Sequence, residues 1–564
     1  MSPTHHVGQR LSFDGAICTV RYIGEVTGTT GTWLGVEWDA QHRGKHDGSH
    51  KGVRSPTAAS FVRPTRRADT PQSFIAALHE KYASDNHPDT QIYFSGKVAE
   101  EVGFDKIRRK QAQLHDLEVV IVDGLRVATA RQGDERSVRE TCPSITHLDI
   151  SRNLFETLGP VVDVCRDLDD LRRLSINGNR FNGVLTDEAL FDCGPALKGI
   201  QELSLGDTLL DWTELCHIAS KCASLTSLVA GSNYLPALPP VDYSTLTTTL
   251  TNLNLEFNDF TTLADLSSLT ELTALRSLIL KGNRITDMAP PGTSAPTFSP
   301  SVYYLDVSYN EIKDWSFVDR LPTHFPGLTG LRLTHNPVYE PTIDADAKAS
   351  SSEDAHMLTI ARIASLRSLN FTTISASDRA NAEMFYLSRI AKQLASVPEA
   401  AEEGVKAQHP RYAELSDIYG EPDVIRREEV NPSFLEARLV TVGFHCPGKG
   451  RKTTRIPRSF DVYTVKGIAG KLFGLPPLGL RLVWETGEWD PVAGFYDLDG
   501  DSSSEDDELD VDEVPDEIMQ GANEDTDGAK PGRWVKREVE LKDGPRQLGY
   551  CVDGLDATIR VEER

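Results

Sequence analysis

The chain has 564 residues, enough for several domains, and carries a formal net charge of −25 from 84 acidic and 59 basic residues. This balance argues against a nucleic-acid partner, and the lack of any run of about 18 apolar residues argues against a membrane span. The eight cysteines contain no C-x-x-C pair, which argues against a zinc site or disulfide framework and favours reduced thiols in the cytosol.

Residues 7–67 are rich in glycine and aromatic residues, and turn residues separate their short apolar runs, as in a small all-β barrel. The stretches TWLGVEW at Thr32–Trp38 and RGKHDGSHKG at Arg43–Gly52 resemble the CAP-Gly domain, whose signature is a G-K-N-D-G loop beside a tryptophan. Members of that family bind acidic C-terminal tails ending in Glu-Glu-aromatic, such as that of α-tubulin. The resemblance implies a tail-binding groove made by Trp33, Gly44, Lys45, His46, Asp47, Gly48 and Phe61.

The residue types suit that ligand. Lys45 offers a cation to carboxylates, and the glycines allow tight turns and close approach of a peptide. Trp33 and Phe61 are expected either to form a slot for the last aromatic residue or to belong to the barrel core. His46 stands where the family has asparagine, and the family's Tyr-Phe strand after Gly52 is shortened here.

Residues 68–113 are interpreted as a helical linker, and residues 114–375 as a leucine-rich-repeat solenoid with a closing cap. The pattern L-x-x-L-x-L-x-x-N-x-L returns eight times. Its asparagine position recurs every 25 to 29 residues, where the side chain is expected to bond backbone groups that the bending chain leaves unpaired. Thr208 breaks the series, and its hydroxyl is expected to do part of the same job. The eight ladder positions are Asn153, Asn179, Thr208, Asn233, Asn258, Asn283, Asn310 and Asn336.

The residues between the buried leucines are expected to face the concave sheet, which is the usual protein-binding surface of a solenoid. Aromatic residues and arginine are enriched at such interfaces. The expected partner-binding patch comprises Arg276, Lys281, Tyr303, Tyr304, Asp306 and Arg332, with a merely solvated sheet face as the alternative.

Residues 376–433 are predicted to be a second helical linker, and residues 434–564 an α+β ubiquitin-like domain. The order of two strands, a helix and further strands carries the ubiquitin-like interpretation. Asp497–Asp527 holds fifteen acidic and no basic residues, so we predict a disordered acidic insertion there.

Nothing in the sequence indicates catalysis, a cofactor or a metal. Gly443–Gly450 approaches a phosphate-binding loop but lacks the final Ser or Thr. The histidines near Asp47 alternate with glycines rather than lining one face of a helix. The chain is therefore expected not to be an enzyme.

The order of CAP-Gly barrel, leucine-rich repeats and ubiquitin-like domain resembles that of the tubulin-folding cofactors. The segments GKHDGSH at Gly44–His50, VGFDKIRRKQAQL at Val102–Leu114 and HPRYAEL at His409–Leu415 carry the same resemblance. It implies a cytoplasmic, cytoskeleton-associated chaperone that binds α-tubulin. It would act with tubulin-folding cofactors C and D around β-tubulin to assemble or dissociate the heterodimer. Two alternatives are a microtubule-associated CAP-Gly adaptor and a ubiquitin-like shuttle that delivers tubulin to the proteasome.

Overall fold

The computed structural model describes residues 5–26, 29–44, 59–83, 93–94, 97–98, 113–340, 351–422, 424, 438–491 and 534–563. The chain forms two compact units. The first comprises Met1–Ala349 and Ser365–Thr373, and the second comprises Ser350–Ala364 and Ile374–Arg564. The acidic segment 497–527 lies outside the described residues.

The first unit begins with a four-stranded antiparallel sheet in chain order, and its inward-facing residues form a closed apolar core that includes Leu34, Val36, Trp38 and Val62. A β-bulge between Val20 and Tyr22 bends the second strand. The four strands are β1 (Arg10–Phe13), β2 (Ala16–Glu25), β3 (Thr32–Trp38) and β4 (Ala59–Val62).

The described parts of residues 68–113 contain more than the expected helix. Strand β5 (Gln72–Ser73) leads into helix α1 (Phe74–Leu78), which is capped by the Ser73 hydroxyl and continues as a π-helical turn over His79–Ala83. Strands β6 (Tyr93–Phe94) and β7 (Lys97–Val98) pair with each other. Strand β5 instead pairs in parallel with β9 (Val127–Thr129) at the start of the solenoid, so part of this segment belongs to the solenoid's first turns.

The leucine-rich repeats fold as predicted, into an eleven-stranded sheet whose short strands are parallel except for the last. The Leu114–Val122 segment supplies an opening strand and Leu366–Ile374 supplies the closing pair. The strands are β8 (Val119–Ile121), β10 (His147–Asp149), β11 (Arg173–Ser175), β12 (Glu202–Ser204), β13 (Ser227–Val229), β14 (Asn252–Asn254), β15 (Ser277–Ile279), β16 (Tyr304–Asp306), β17 (Gly330–Arg332), β18 (Ser368–Leu369) and β19 (Thr372–Thr373).

Buried asparagines join successive repeats, as the sequence predicts. The Asn258 amide nitrogen donates to Leu255 O at 3.0 Å in its own repeat and to Ala230 O at 3.2 Å in the preceding one, while its Oδ1 accepts from Asn233 N at 3.0 Å. These bonds satisfy backbone groups that would otherwise be buried without partners. The ladder therefore fixes the spacing and orientation of all side chains along this edge of the sheet.

Short helical segments cover the side of the solenoid opposite the sheet, and their apolar residues complete the buried leucine core. Capping boxes begin two of them, at Ser137 and Asp211. The helices are α2 (Val138–Thr141), α3 (Gly159–Cys165), α4 (Gly194–Leu197), α5 (Trp212–Ala219) and α6 (Trp315–His324), and the 3-10 segments include Val184–Thr186, Glu188–Leu190, Leu263–Glu271 and Pro337–Tyr339.

The second unit contains a helical part and a mixed sheet. Its helices are α7 (Ser352–Arg362), α8 (Ala376–Ala395), α9 (Glu402–Lys406) and α10 (Tyr412–Tyr419). The HPRYAEL segment is structural here: Leu415 is fully buried, and Arg411 donates to Glu383 Oε1 at 2.9 Å. Among the described residues, no helix combines the length and apolar character needed to cross a membrane.

The mixed sheet has five strands in the order β21-β20-β24-β22-β23, and helix α11 (Val462–Phe473) packs its apolar residues into the sheet's core. Strands β20 and β24 are parallel, and the other pairs are antiparallel. Gly443–Gly450, the near-match to a phosphate loop, spans the end of β20 and the hairpin turn. The strands are β20 (Leu439–Cys446), β21 (Gly450–Pro457), β22 (Leu480–Pro491), β23 (Trp534–Glu540) and β24 (Asp556–Glu563).

Candidate protein-binding sites

The outer face of the barrel carries an aromatic cluster rather than a smooth polar surface. Gly35 on β3 is the cross-strand partner of both Tyr22 and Phe61, so these two rings lie on the same face. Trp33 lies two residues along β3 and, by strand alternation, also points outward. All three rings are half-buried, and none belongs to the apolar core. The structure therefore places Trp33 and Phe61 outside the barrel core, and the slot for an aromatic residue stays a prediction.

A cation is fixed against the tryptophan. The Arg63 guanidinium carbon lies 3.6 Å from the centroid of the Trp33 ring, and Arg63 Nη1 donates to Thr30 O at 2.7 Å. Trp33 Nε1 donates to Thr29 Oγ1 at 2.7 Å, which fixes the indole orientation. Phe61 meets Tyr22 edge-to-face at 6.5 Å. This arrangement presents positive charge and aromatic surface together, which suits a peptide bearing carboxylates and a terminal ring.

Two glycines make room for this cluster. A Cβ on Gly35 would lie 2.9 Å from the Tyr22 Cβ, and one on Gly24 would lie 2.4 Å from the Tyr22 hydroxyl oxygen. Both residues therefore leave the space in which the Tyr22 ring lies flat on the sheet.

The described residues include only part of the groove implied by the CAP-Gly resemblance. Trp33, Phe61 and half-buried Gly44 are placed, whereas the loop residues Lys45, His46, Asp47 and Gly48 lie outside the described part of the chain. Sequence reasoning missed Tyr22 and Arg63. The alternation of SFVRP places Arg63 on the same face as Phe61, and this was the signal that could have identified it.

The six residues expected on one concave patch are spread across the width of the sheet. Arg276 and Tyr303 precede their strands at one edge, and Lys281 follows its strand at the other. The remaining three, Tyr304, Asp306 and Arg332, lie on the strands themselves.

Asp306 is buried, whereas the sequence predicts an exposed side chain. It is 3% exposed and accepts hydrogen bonds from Ser308 N at 2.8 Å and Ser308 Oγ at 2.6 Å, with Arg332 Nη1 at 3.4 Å. The carboxylate therefore has a structural role in the turn. Arg332 is shared between Asp306 and the exposed ring of Phe371, whose centroid lies 4.5 Å from its guanidinium carbon.

The asparagine-turn edge of the sheet has an unusual backbone. The residue before the ladder position has a left-handed φ in all eight repeats, as at Gly178 (+64°) and Gly282 (+71°). This conformation favours glycine, yet Phe257 (+53°) and Tyr309 (+56°) adopt it with bulky side chains. Such a conformation costs about 1–2 kcal/mol in a residue with a Cβ. Exposed aromatic residues at two such positions make this edge a candidate functional surface.

The rings at this edge form a continuous stripe. The Lys281 ammonium lies 5.6 Å from the centroids of both Phe257 and Tyr309, and the Tyr309 ring stacks on His335 at 4.0 Å. Phe257 and Tyr309 are 49% and 45% exposed. We call Phe257, Lys281, Tyr309 and His335 the aromatic edge. Its exposed aromatic rings make it a candidate protein-binding surface.

Comparison with known proteins first defines the class. The CAP-Gly domain model matches residues 7–67, and the parallel sheet with its asparagine ladder is a leucine-rich-repeat solenoid, so this is a multidomain CAP-Gly protein with leucine-rich repeats. Among solved structures, an internalin C2 from Listeria monocytogenes is 17% identical with a TM-score of 0.26, covering 46% of this chain and 91% of its own.

Curated relatives then define the family. Tubulin-specific chaperone E of Mus musculus is 30% identical over 512 residues, which cover 86% of this chain and 93% of the relative. The Homo sapiens protein of the same name is 30% identical, with 85% and 92% covered. Tubulin-folding cofactor E of Arabidopsis thaliana is 26% identical, with 84% and 91% covered. The chain belongs to the tubulin-specific chaperone E family.

Proposed function

We propose that this protein is a cytoplasmic, cytoskeleton-associated chaperone of tubulin that binds α-tubulin. We also propose that it acts with tubulin-folding cofactors C and D, around β-tubulin, in assembling and dissociating the heterodimer. The observation that carries this proposal is the similarity to tubulin-specific chaperones along nearly the whole of their length. The role needs no catalytic residue of this chain, only surfaces that bind one tubulin subunit.

The barrel face is the proposed site for the acidic tail. Arg63 over Trp33 supplies a cation held against an aromatic wall, and Phe61 with Tyr22 supplies a second wall. Lys45 is proposed to add a second cation from the adjoining loop. Carboxylates of a Glu-rich tail would pair with the cations while its final aromatic residue packs between the rings.

The aromatic edge is the proposed site for the folded part of α-tubulin. Two exposed rings offer apolar area of the kind enriched at protein interfaces, and the lysine between them adds a positive charge. Arg276, Tyr303 and Tyr304 of the concave patch are proposed to extend the same contact across the sheet.

The C-terminal sheet is proposed to be a ubiquitin-like domain that docks the other cofactors or the proteasome. Support comes from its strand order, with β20 and β24 parallel at the centre and one helix packed on the sheet. Removing residues 434–564 should then reduce dissociation of tubulin in cells while the remaining fragment still binds α-tubulin. Loss of α-tubulin binding in that fragment would contradict this division of roles.

Size-exclusion chromatography with purified tubulin tests the proposal. We expect the full chain to elute in a stoichiometric complex with α-tubulin when dimeric tubulin is supplied. Binding only to polymerised microtubules in a sedimentation assay, with dimers left intact, would instead support the adaptor function. Capture of proteasomes without any effect on the dimer would support the shuttle function.

A further inference from the structure

A buried arginine joins the barrel to the solenoid. The Arg10 side chain, on β1, has no exposed surface and forms a two-pronged ion pair with Asp39, with Nη1 and Nη2 each 2.6 Å from a carboxylate oxygen. Its Nη1 also donates to Thr19 Oγ1 at 3.0 Å. These contacts fix the guanidinium plane within the barrel.

The other side of the same guanidinium binds the solenoid. Nη2 lies 3.1 Å from both Asn153 O and Gly178 O, and Nε lies 3.3 Å from Asn153 O. Both carbonyls belong to the asparagine turns of the first two repeats. The Arg10 backbone nitrogen donates to Glu156 Oε1 at 2.9 Å, which adds a second link to the first repeat. Every nitrogen of the Arg10 side chain therefore has an acceptor. The solenoid supplies the acceptor of Nε and two of the acceptors of Nη2.

Stability alone does not require an arginine at this position. Well-packed apolar residues commonly stabilise a buried contact as well as an ion pair does, because burying charge costs desolvation energy. What a fully bonded guanidinium adds is direction, since its planar fork donates hydrogen bonds only along fixed directions. Arg10 thus sets the angle between the barrel and the solenoid rather than merely holding them together.

That angle matters because the Arg10 contact lies on the same barrel face as the tail groove, here meaning the cluster of Tyr22, Trp33, Phe61 and Arg63. Arg10 pairs with Thr19 across β1 and β2, and Thr19 pairs with Glu37 on β3, so these three residues point to the same side. Gly35, the cross-strand partner of Phe61, is two residues from Glu37, or about 7 Å along the strand. Trp33 is four residues from Glu37, or about 13 Å. The groove therefore lies on the barrel face that carries Arg10, within about 13 Å of Glu37 along β3.

The solenoid residues that bind Arg10 lie on the same edge of the sheet as the aromatic edge. Arg10 binds the asparagine turns of the first two repeats, and the aromatic edge occupies the same turns of repeats five to eight. With strands about 4.8 Å apart, three strand steps separate the second repeat from the fifth, or about 14 Å. A single folded protein with a flexible tail can span both sites.

We propose that Arg10 is a positioning residue, which orients the tail groove beside the aromatic edge so that one acidic-tailed partner is held at two places at once. The inference rests on the proposed function, since the partner is taken to be tubulin with its tail. Once the folded part is bound, the tail meets the groove at an effective concentration in the millimolar range, provided that the barrel orientation is fixed. A barrel free to rotate loses that advantage without losing its own affinity for a tail.

The test compares three probes on the full chain and on Arg10→Lys, because lysine keeps the charge but not the fork. The probes are tubulin, tubulin whose acidic tails have been removed by limited proteolysis, and a synthetic acidic peptide ending in Glu-Glu-Tyr. We expect at least tenfold weaker binding of intact tubulin, with peptide and tail-less tubulin each bound within twofold of wild type. The matched control, Arg66→Lys, changes a half-exposed barrel arginine that pairs with Asp14, and should leave all three affinities unchanged.

Peptide binding also reports whether the barrel is folded. If Arg10→Lys no longer binds the peptide, Glu156→Ala on the solenoid is tested instead. We expect Glu156→Ala to weaken binding of intact tubulin two- to fivefold while its affinity for the peptide stays unchanged. Equal losses for peptide and intact tubulin in Glu156→Ala, or unchanged binding of intact tubulin in a folded Arg10→Lys protein, would overturn the inference. If the wild-type chain binds neither tubulin nor the peptide, the proposed function itself fails.

Discussion

The Thr208 hydroxyl oxygen lies 3.0 Å from Asn233 Oδ1 and 2.9 Å from Leu205 O, at the one ladder position without an asparagine. A hydroxyl has a single proton and can donate to only one of these oxygens at a time. Asparagine at this place donates twice, to its own repeat and to the preceding one, as Asn233 does to Ala230 O and Leu205 O. Threonine therefore performs part of the ladder function, as the sequence predicts.

Replacing Thr208 with asparagine should complete the ladder. We expect Thr208→Asn to raise the free energy of unfolding by about 1 kcal/mol, the net value of one additional buried hydrogen bond. Urea denaturation followed by circular dichroism measures the change. The matched variant Asn233→Thr should lower stability by at least as much, and a stabilising effect of Asn233→Thr would show that the ladder bonds are not limiting.

The tail groove should depend on both of its cations. We expect Lys45→Glu and Arg63→Glu each to weaken binding of an acidic peptide ending in Glu-Glu-Tyr at least tenfold, or roughly 1.4 kcal/mol, because each change replaces attraction of the carboxylates by repulsion. Arg63 lies over the Trp33 ring, and Lys45 is assigned to the groove by the CAP-Gly resemblance. Calorimetric titration measures the affinities. Arg66→Glu, elsewhere on the barrel, serves as the control. Equal affinity of the wild-type chain for tubulin with and without its tail would contradict the tail-binding role.

At the aromatic edge, the unfavourable backbone conformation of Tyr309 lowers stability, whereas its ring is expected to contribute to binding. Tyr309 has φ +56°, so Tyr309→Gly removes an unfavourable backbone conformation and should leave the free energy of unfolding unchanged or higher by up to about 1 kcal/mol. The same change removes the ring beside Lys281 and should weaken binding of tail-less tubulin at least tenfold.

Chemical denaturation and a binding titration on Tyr309→Gly separate these effects. A fall in stability of more than 1 kcal/mol with unchanged binding would mean that the stack on His335 is structural. The pair Tyr304→Ala with Arg332→Ala provides a contrast within the solenoid. Loss of Arg332 leaves the buried Asp306 carboxylate without its cation, so that variant should lose stability as well as tubulin dissociation.

The helical part of the second unit should become less stable in mild acid. His409 is 6% exposed, with Nδ1 2.8 Å from Tyr386 Oη and Nε2 2.7 Å from Gln393 Oε1, an arrangement that suits the neutral ring. Burial, with a smaller contribution from the nearby Arg362 charge, lowers the pKa of His409 to about 4. Because the unfolded chain takes up a proton on this ring near pH 6.5 and the folded chain does not, the contribution of His409 to stability is constant above pH 6.5 and falls between pH 6.5 and 4.

Between pH 7 and pH 5 the loss should be on the order of 2 kcal/mol. Denaturation at pH 7 and pH 5 measures it, and His409→Gln, which keeps a polar amide in the site but cannot titrate, should show a smaller pH dependence. The same slope in both proteins would assign the acid sensitivity to other groups.

The solenoid was predictable because its signals are local and repeated. Each leucine and asparagine meets the same environment in every repeat, so the spacing identifies both the core and the ladder. In the C-terminal domain the apolar pattern predicts a core of Leu439, Val462, Ile468, Leu472, Leu482, Val552 and Ile559. Four of these are buried and Ile468 and Leu472 are partly buried, whereas Leu439 is half-buried and Val440 takes its place. A strand shifted by one residue exchanges its two faces, and composition alone does not determine that register.

The binding surfaces were less predictable because they depend on backbone groups and on distant segments. The partners of Arg10 include two solenoid carbonyls, and no side-chain motif encodes a carbonyl that another domain brings near. The aromatic edge depends on a left-handed φ at Phe257 and Tyr309, which their residue types do not favour. The sequence predicts an exposed Asp306 because its hydrogen bonds with Ser308 form only in the folded turn.

Native mass spectrometry of α/β-tubulin incubated with the full chain, together with cofactors C and D, tests the central claim most directly. The account predicts a one-to-one complex of this chain with α-tubulin and a matching loss of the heterodimer. Heterodimer that stays intact at every concentration of the chain, with no complex containing α-tubulin, would contradict it.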